Sequence, residues 1–184
     1  MIESNPRRPD PEAPDLQQRT EAVFRTQQLG LWCRTDRMFA VLMVVQWLAG
    51  ILLAVFLSPR TWEGTESAAH IHVWAAILLG GVVLRHPGTT ASRHAVAIAQ
   101  ALMSGLLIHL SGGRIETHFH IFGALAFLSF YRDRSVLLSA TLITLADHIL
   151  RGLLWPESVY GVASAPLWRS LEHGGWVMFE VTIL

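Results

Sequence analysis

Residues 38–57 carry no charged side chain over 20 positions. A helix of that length rises about 30 Å, the thickness of a bilayer's hydrocarbon core. Four more apolar stretches follow, at 68–84, 95–110, 117–131 and 135–154. Each is closed by a polar or turn-forming cluster: Arg85-His86-Pro87-Gly88, Ser111-Gly112-Gly113-Arg114, Arg132-Asp133-Arg134 and Trp155-Pro156. A sixth stretch runs over 170–184 and reaches part of the way across, so the chain is expected to continue past it. The pattern predicts an all-α, polytopic membrane helix bundle of about six transmembrane helices at these positions. Composition agrees: 52% of residues are hydrophobic and 15% charged, against about 25% charged in ordinary soluble domains.

The segment 1–37 is polar and begins with Pro6, Pro9, Pro11 and Pro14. It has neither the apolar core nor the small-residue cleavage site of a signal peptide. Its start is expected to lack fixed structure and 16–37 to form a juxtamembrane helix, the whole being a cytoplasmic tail. All 14 basic residues are Arg. With the N-terminus cytoplasmic, ten of those 14 fall in the inner segments 1–37, 85–94 and 132–134, as the positive-inside rule requires. Trp62, Trp74, Trp155, Trp168 and Trp176 then lie near the outer interface, where an aromatic belt belongs. The net charge of zero argues against a nucleic-acid partner. The single cysteine, Cys33, excludes a disulfide within the chain and a Cys-based zinc or iron–sulfur site.

This topology sorts the nine His. His70 and His72 open the second segment, His109 closes the third, His118 and His120 open the fourth, His148 lies two turns before the end of the fifth and His173 opens the sixth. Seven of nine thus share one outer layer, while His86 and His94 fall in an inner loop. Glu116, Asp147 and Glu172 join the layer, with Glu180 deeper. Ionisable groups within a membrane are expensive unless paired or solvated, so they mark functional sites. Asp147 is also spaced i,i+4 from Arg151, a pairing that would occupy it without any ligand. The pairs His70-Ile-His72 and His118-Phe-His120 echo one another 48 positions apart. In a continuous helix, residues i and i+2 point to different faces. Such a pair therefore either chelates from pre-helical backbone or serves two separate centres.

Imidazole and carboxylate without thiolate suit iron, copper, zinc or manganese. The expected metal ligands are His70, His72, His109, His118, His120, His148 and His173, with Glu116, Asp147 and Glu172 holding ring N–H groups from behind. Seven His exceed the four ligands of one structural zinc and fit a dinuclear centre. Haem b is the alternative cofactor, held by one or two axial His with room supplied by Gly80, Gly81, Gly105 and Gly123. A di-metal membrane oxidase or hydroxylase is a further alternative, although the outer His lack the H-x-x-H and H-x-x-x-H spacings usual in that class. A transporter would need polar residues at several depths, where the inner half offers little beyond Gln46, Gln100 and Ser139. No nucleophile–His–acid arrangement stands out, and no catalytic activity is expected within this chain.

The stretch from Leu107 through His109, Arg114, Glu116, His118 and His120, continuing to Tyr131 and Asp133 and then to Asp147-His148, resembles the membrane-integral input region of certain bacterial sensor histidine kinases and related signalling proteins. There an H-F-H motif opens a helix that ends in a Tyr-x-Asp turn, followed by a helix carrying Asp-His or His-His. The similarity covers roughly residues 65–184. It implies a multi-pass protein of the bacterial inner membrane, working as a homodimer, that passes its state to a cytoplasmic output domain. With the His layer it leads to the expectation of a membrane sensor. A metal centre near the outer face would bind a small diatomic or redox ligand and relay that state inward.

Overall fold

The computed structural model describes residues 13–57 and 86–184, and among them the chain is all-helical. The second apolar segment, with His70, His72, Gly80 and Gly81, lies outside the described residues. The elements are α1 (Ala13–Leu57), α2 (Thr90–Leu110), α3 (Ile115–Leu128), a 3₁₀ turn (Ser129–Tyr131), α4 (Arg134–Leu154), α5 (Pro156–Tyr160) and α6 (Leu167–Ile183). α1, α2 and α4 run one way, and α3 and α6 return. The described bundle therefore has two ends, marked by Tyr131 at one and Gly112 at the other.

The expected juxtamembrane helix and first span are one uninterrupted helix of 45 residues, about 67 Å long at 1.5 Å per residue. Hydropathy changes at Met38 but helix propensity does not, and isolated Gly30 and Gly50 do not break the run. α2 begins five residues before the apolar stretch at 95 because Thr89 caps it, its side chain accepting from the Ser92 N–H at 3.1 Å. His94, expected in a loop, is therefore helical, with Nδ1 2.8 Å from Ser139 Oγ on α4. α5 forms in the segment between the fifth and sixth apolar stretches. Pro156 presets its first turn, and Gly161 ends it with φ +65°.

α2 is the central helix and contacts α1, α3, α4 and α5. Its buried positions are small, Ala95, Ala97, Ala99, Ala101, Ser104 and Gly105 among them, which lets neighbouring backbones approach closely. Around it pack Phe39, Ile121, Leu125, Leu128, Tyr131, Val136, Leu137 and Val177. Outward-facing positions are apolar too: Val41, Val44, Val45, Leu48 and Leu52 on α1, and Leu138, Leu142, Leu150 and Leu153 on α4. Among the described residues three helices are long and apolar enough to cross a membrane: the Asp15–Leu52 part of α1, α2 and α4.

A polar node ties the Tyr131 end together. Asp36 of α1 is fully buried and accepts from Tyr131 Oη, Ser92 Oγ (2.8 Å) and the Gly88 N–H. Trp32, one turn earlier, donates its indole N–H to the Tyr131 carbonyl at 3.1 Å, and Phe39 stacks on the Tyr131 ring at 5.6 Å. Arg93 is buried over the Trp32 ring and pairs with Asp133 at 3.2 Å. Partial burial alone would raise the Asp133 carboxyl, but two hydrogen bonds from Ser135 and the Arg93 charge outweigh it and hold the group below its usual value. The Tyr-x-Asp turn thus anchors α1 and α2.

Candidate functional site

Near the Gly112 end the five described outer His, His109, His118, His120, His148 and His173, separate into three environments. His118 of α3, His148 of α4 and His173 of α6 converge, with ring centroids 5.5, 5.2 and 6.1 Å apart for the pairs 118–148, 118–173 and 148–173. Each ring is tied to its own helix in the same way. Nδ1 lies 3.0 Å from the Arg114 carbonyl in His118, 3.1 Å from the Thr144 carbonyl in His148 and 2.9 Å from the Arg169 carbonyl in His173. A carbonyl only accepts, so each Nδ1 carries the proton. In the neutral ring that leaves a lone pair on each Nε2.

His118 and His148 are 4% and 3% exposed, and both Nε2 atoms are buried without a hydrogen-bond partner among the described residues. Orphaned buried acceptors of this kind are costly and call for an explanation. A metal ion supplies one. Three imidazoles sharing an ion at about 2.0–2.1 Å stand with ring centroids roughly 5–5.5 Å apart, close to the spacing observed. The trio is not a closed ligand set: among the described residues no group of three or more His, Cys, Asp or Glu is disposed to hold a metal ion. His148 and His173, the widest pair, would close by up to about 1 Å to share one.

His120 belongs elsewhere. α3 is already helical at this point, so the H-x-H pair points to two faces and serves two environments. On the second face Gln46 Nε2 meets His120 Nε2 at 2.9 Å, and His120 Nδ1 meets Ser104 Oγ at 2.8 Å. Gln46 and Gln100 exchange reciprocal amide hydrogen bonds of 3.1 and 3.0 Å. An amide N–H only donates, so His120 accepts at Nε2 and donates from Nδ1, and the Ser104 hydroxyl donates to the Gln100 main-chain carbonyl at 2.9 Å. Both nitrogens are thereby occupied. His109 sits in a third place, edge-on to Trp155 at 4.9 Å with Nδ1 3.0 Å from Ser158 Oγ.

The carboxylates divide as well. Asp147 forms a two-pronged pair with Arg151, whose Nη1 also reaches Ser158 Oγ at 2.8 Å. The i,i+4 pairing therefore holds. Asp147 Oδ2 is 3.5 Å from His148 Nδ1, beside the closer carbonyl bond. Gly105 leaves the space this pair occupies: a Cβ there would stand 3.1 Å from Arg151 and 3.2 Å from Asp147. At that position the glycine makes room for an ion pair, not a haem. Glu116 and Glu172 are exposed, and Glu172 lines the cavity beside the trio. Glu180 is half-buried, its Oε2 without a hydrogen-bond partner among the described residues.

A cavity of about 310 Å³ opens on the trio between α3 and α6. His118, His148, His173 and Thr144 line it together with Ile115, Phe119, Phe122, Leu145, Trp176 and Val177, and Arg169 and Glu172 contribute opposite charges. Tyr160 braces His173 from another side, its ring edge-on at 5.3 Å and its hydroxyl 2.7 Å from Ser170 Oγ. The sequence did not single out Thr144, Tyr160 or Phe122, and it gave Trp176 only to the outer aromatic belt. The signal available was spacing: Phe119 and Phe122 flank His118 and His120, and Trp176 follows His173 by three, as neighbours on one helix face do. Comparison of the chain with protein-family models, with curated proteins and with solved structures gives no match.

Proposed function

We propose that this chain is the membrane-embedded input module of a sensor, with one transition metal held by His118, His148 and His173 near the outer face. The observation that carries the reading is the shared geometry of the trio. Three rings from three helices have their Nδ1 protons committed to backbone carbonyls, and two Nε2 lone pairs are buried without partners among the described residues. Neutral imidazoles without thiolate favour zinc or copper, and iron less so. Haem fits poorly, because three rings within 6.1 Å of one another leave little room for a porphyrin among them.

Sensing follows from where the ligands sit. A shared ion draws α3, α4 and α6 together, and all three run on to the Tyr131 end, which the positive-inside rule puts at the cytoplasmic face. A metal that prefers the closed arrangement therefore shifts the population of helix positions there, where an output domain or partner reads it. The bilayer, an inner-membrane location and a homodimer belong to the same reading.

Metal analysis of the purified chain, with an optical spectrum, tests it. About one transition metal per chain and no Soret band are expected. His118→Ala, His148→Ala and His173→Ala should each lose the metal, whereas His120→Ala and His109→Ala should keep it. Full metal content in all three trio variants, or a Soret band, contradicts the reading.

A further inference from the structure

The stripe of α6 that lines the cavity has a charged end and an apolar end. Arg169, Glu172, His173 and Trp176 follow at i, i+3, i+4 and i+7, so they share one face of the helix, and all four line the cavity. Arg169 lies in the first turn of α6, and Trp176 stands about 10 Å further along the axis. Ile115, Phe119 and Phe122 of α3 add apolar wall. Phe119 and Trp176 are 69% and 59% exposed, so the cavity opens on the side of the bundle, and in a membrane that side meets lipid. The two charges at its mouth are free to bind. Arg169 and Glu172 have a spacing that allows an ion pair, yet neither joins one among the described residues. Arg169 is half-buried, its guanidinium 5.2 Å from the centre of the Tyr160 ring, and Glu172 is exposed. An unpaired cation and anion one turn apart, above an apolar cavity open to lipid, complement a zwitterion that carries an apolar tail.

We infer that the cavity seats a phospholipid of the phosphatidylethanolamine class, its phosphate at Arg169, its ammonium at Glu172 and the start of one acyl chain against Phe119, Phe122 and Trp176. A guanidinium donates to phosphate oxygens in charge-assisted hydrogen bonds, and a primary ammonium donates to a carboxylate in the same way. A choline headgroup has no N–H for Glu172. A glycerol headgroup brings a phosphate charge beside Glu172 with no cation to offset it. The cavity volume of about 310 Å³ is at the small end of small-molecule sites, about 300–1,000 Å³, so it holds part of one chain while the rest of the lipid stays in the bilayer. Of the proposed function, only the membrane location enters here, and the metal plays no part.

The test equilibrates the purified full chain with an equal mixture of phosphatidylethanolamine, phosphatidylcholine and phosphatidylglycerol of the same acyl chains, and counts the lipids it retains by native mass spectrometry. Phosphatidylethanolamine is expected to exceed each of the other two by about two- to fivefold, the scale of one exposed ion pair. Glu172→Gln should abolish its advantage over phosphatidylglycerol, and Arg169→Gln should lower retention of all three lipids. Trp176→Ala, at an exposed position outside the core, should also lower retention while keeping the headgroup order. Lipids retained in the proportions of the mixture, or a preference unchanged by both charge variants, overturn the inference. Alkaline carbonate extraction of membranes holding the chain tests the location separately. A chain washed out by carbonate contradicts the membrane reading, whereas an embedded chain without headgroup preference contradicts the lipid site alone.

Discussion

Single residues decide much of this site, and the clearest cases are glycines in the loop at its edge. Gly112 and Gly113 have φ of +71° and +73°, a region that side chains rarely adopt. They differ in surroundings. A Cβ on Gly112 meets nothing within 4 Å, whereas one on Gly113 would overlap the Gly161 nitrogen and stand 2.8 Å from the Tyr160 backbone. Gly112→Ala is therefore expected to cost about 1 kcal/mol, the conformational term alone. Gly113→Ala should cost about 3 kcal/mol or more, because backbone must also move. Thermal unfolding in detergent separates the two, and equal losses would contradict the close approach. The sequence marked this pair as a turn but said nothing of what presses on it, since α5 itself was not foreseen.

The histidines show the same limit of a sequence read in one dimension. Position along the bundle was legible, because helix ends are marked by Gly112-Gly113 and Trp155-Pro156. Azimuth was not. His118 and His120 share a depth yet face different neighbours, one the trio and the other Gln46 and Ser104. The rule that i and i+2 diverge on a helix already contained this outcome. Choosing between its two branches needed the start of α3, which lies at Ile115, two residues ahead of the apolar stretch at 117–131.

Among the elements, α1 departs most from expectation. Hydropathy divides it at Met38, but backbone hydrogen bonding continues across that point. What fixes it to the bundle is polar: Asp36 receives hydrogen bonds from the 3₁₀ turn, from α2 and from the loop before α2. Asp36 read as one more charge in a charged tail, so its burial was invisible in the sequence. Tyr131 and Asp133 were visible as a motif without a known role, and the structure supplies it. Tyr131→Phe removes one buried donor and should cost about 1–2 kcal/mol. Asp36→Ala leaves three donors unmatched at once and should cost about 3 kcal/mol or more. If the first change leaves the melting temperature untouched, the node does not hold α1 as described.

For the whole molecule, the two ends of the bundle have distinct tasks. The Gly112 end gathers titratable side chains around a cavity, and the Tyr131 end locks helices together with a buried carboxylate and an Arg–Asp pair. α3 and α4 run between them, α3 into the turn that carries Tyr131 and α4 from its cap Asp133. Among the described residues the apolar stretches at 38–57, 95–110, 117–131, 135–154 and 170–184 were legible as helices, because long uncharged runs between turn signals read that way. Which helices touch, and that α2 lies at the centre, depended on its run of small residues, a pattern common enough in membrane helices to pass without notice.

If one metal joins α3, α4 and α6 through the ring nitrogens of His118, His148 and His173, X-ray absorption at its edge measures the bonds directly. A first shell containing three imidazole nitrogens at about 2.0–2.1 Å is expected, with the edge signal lost in the His118→Ala, His148→Ala double variant. A shell of oxygen atoms alone, or a spectrum unchanged in that variant, would contradict it.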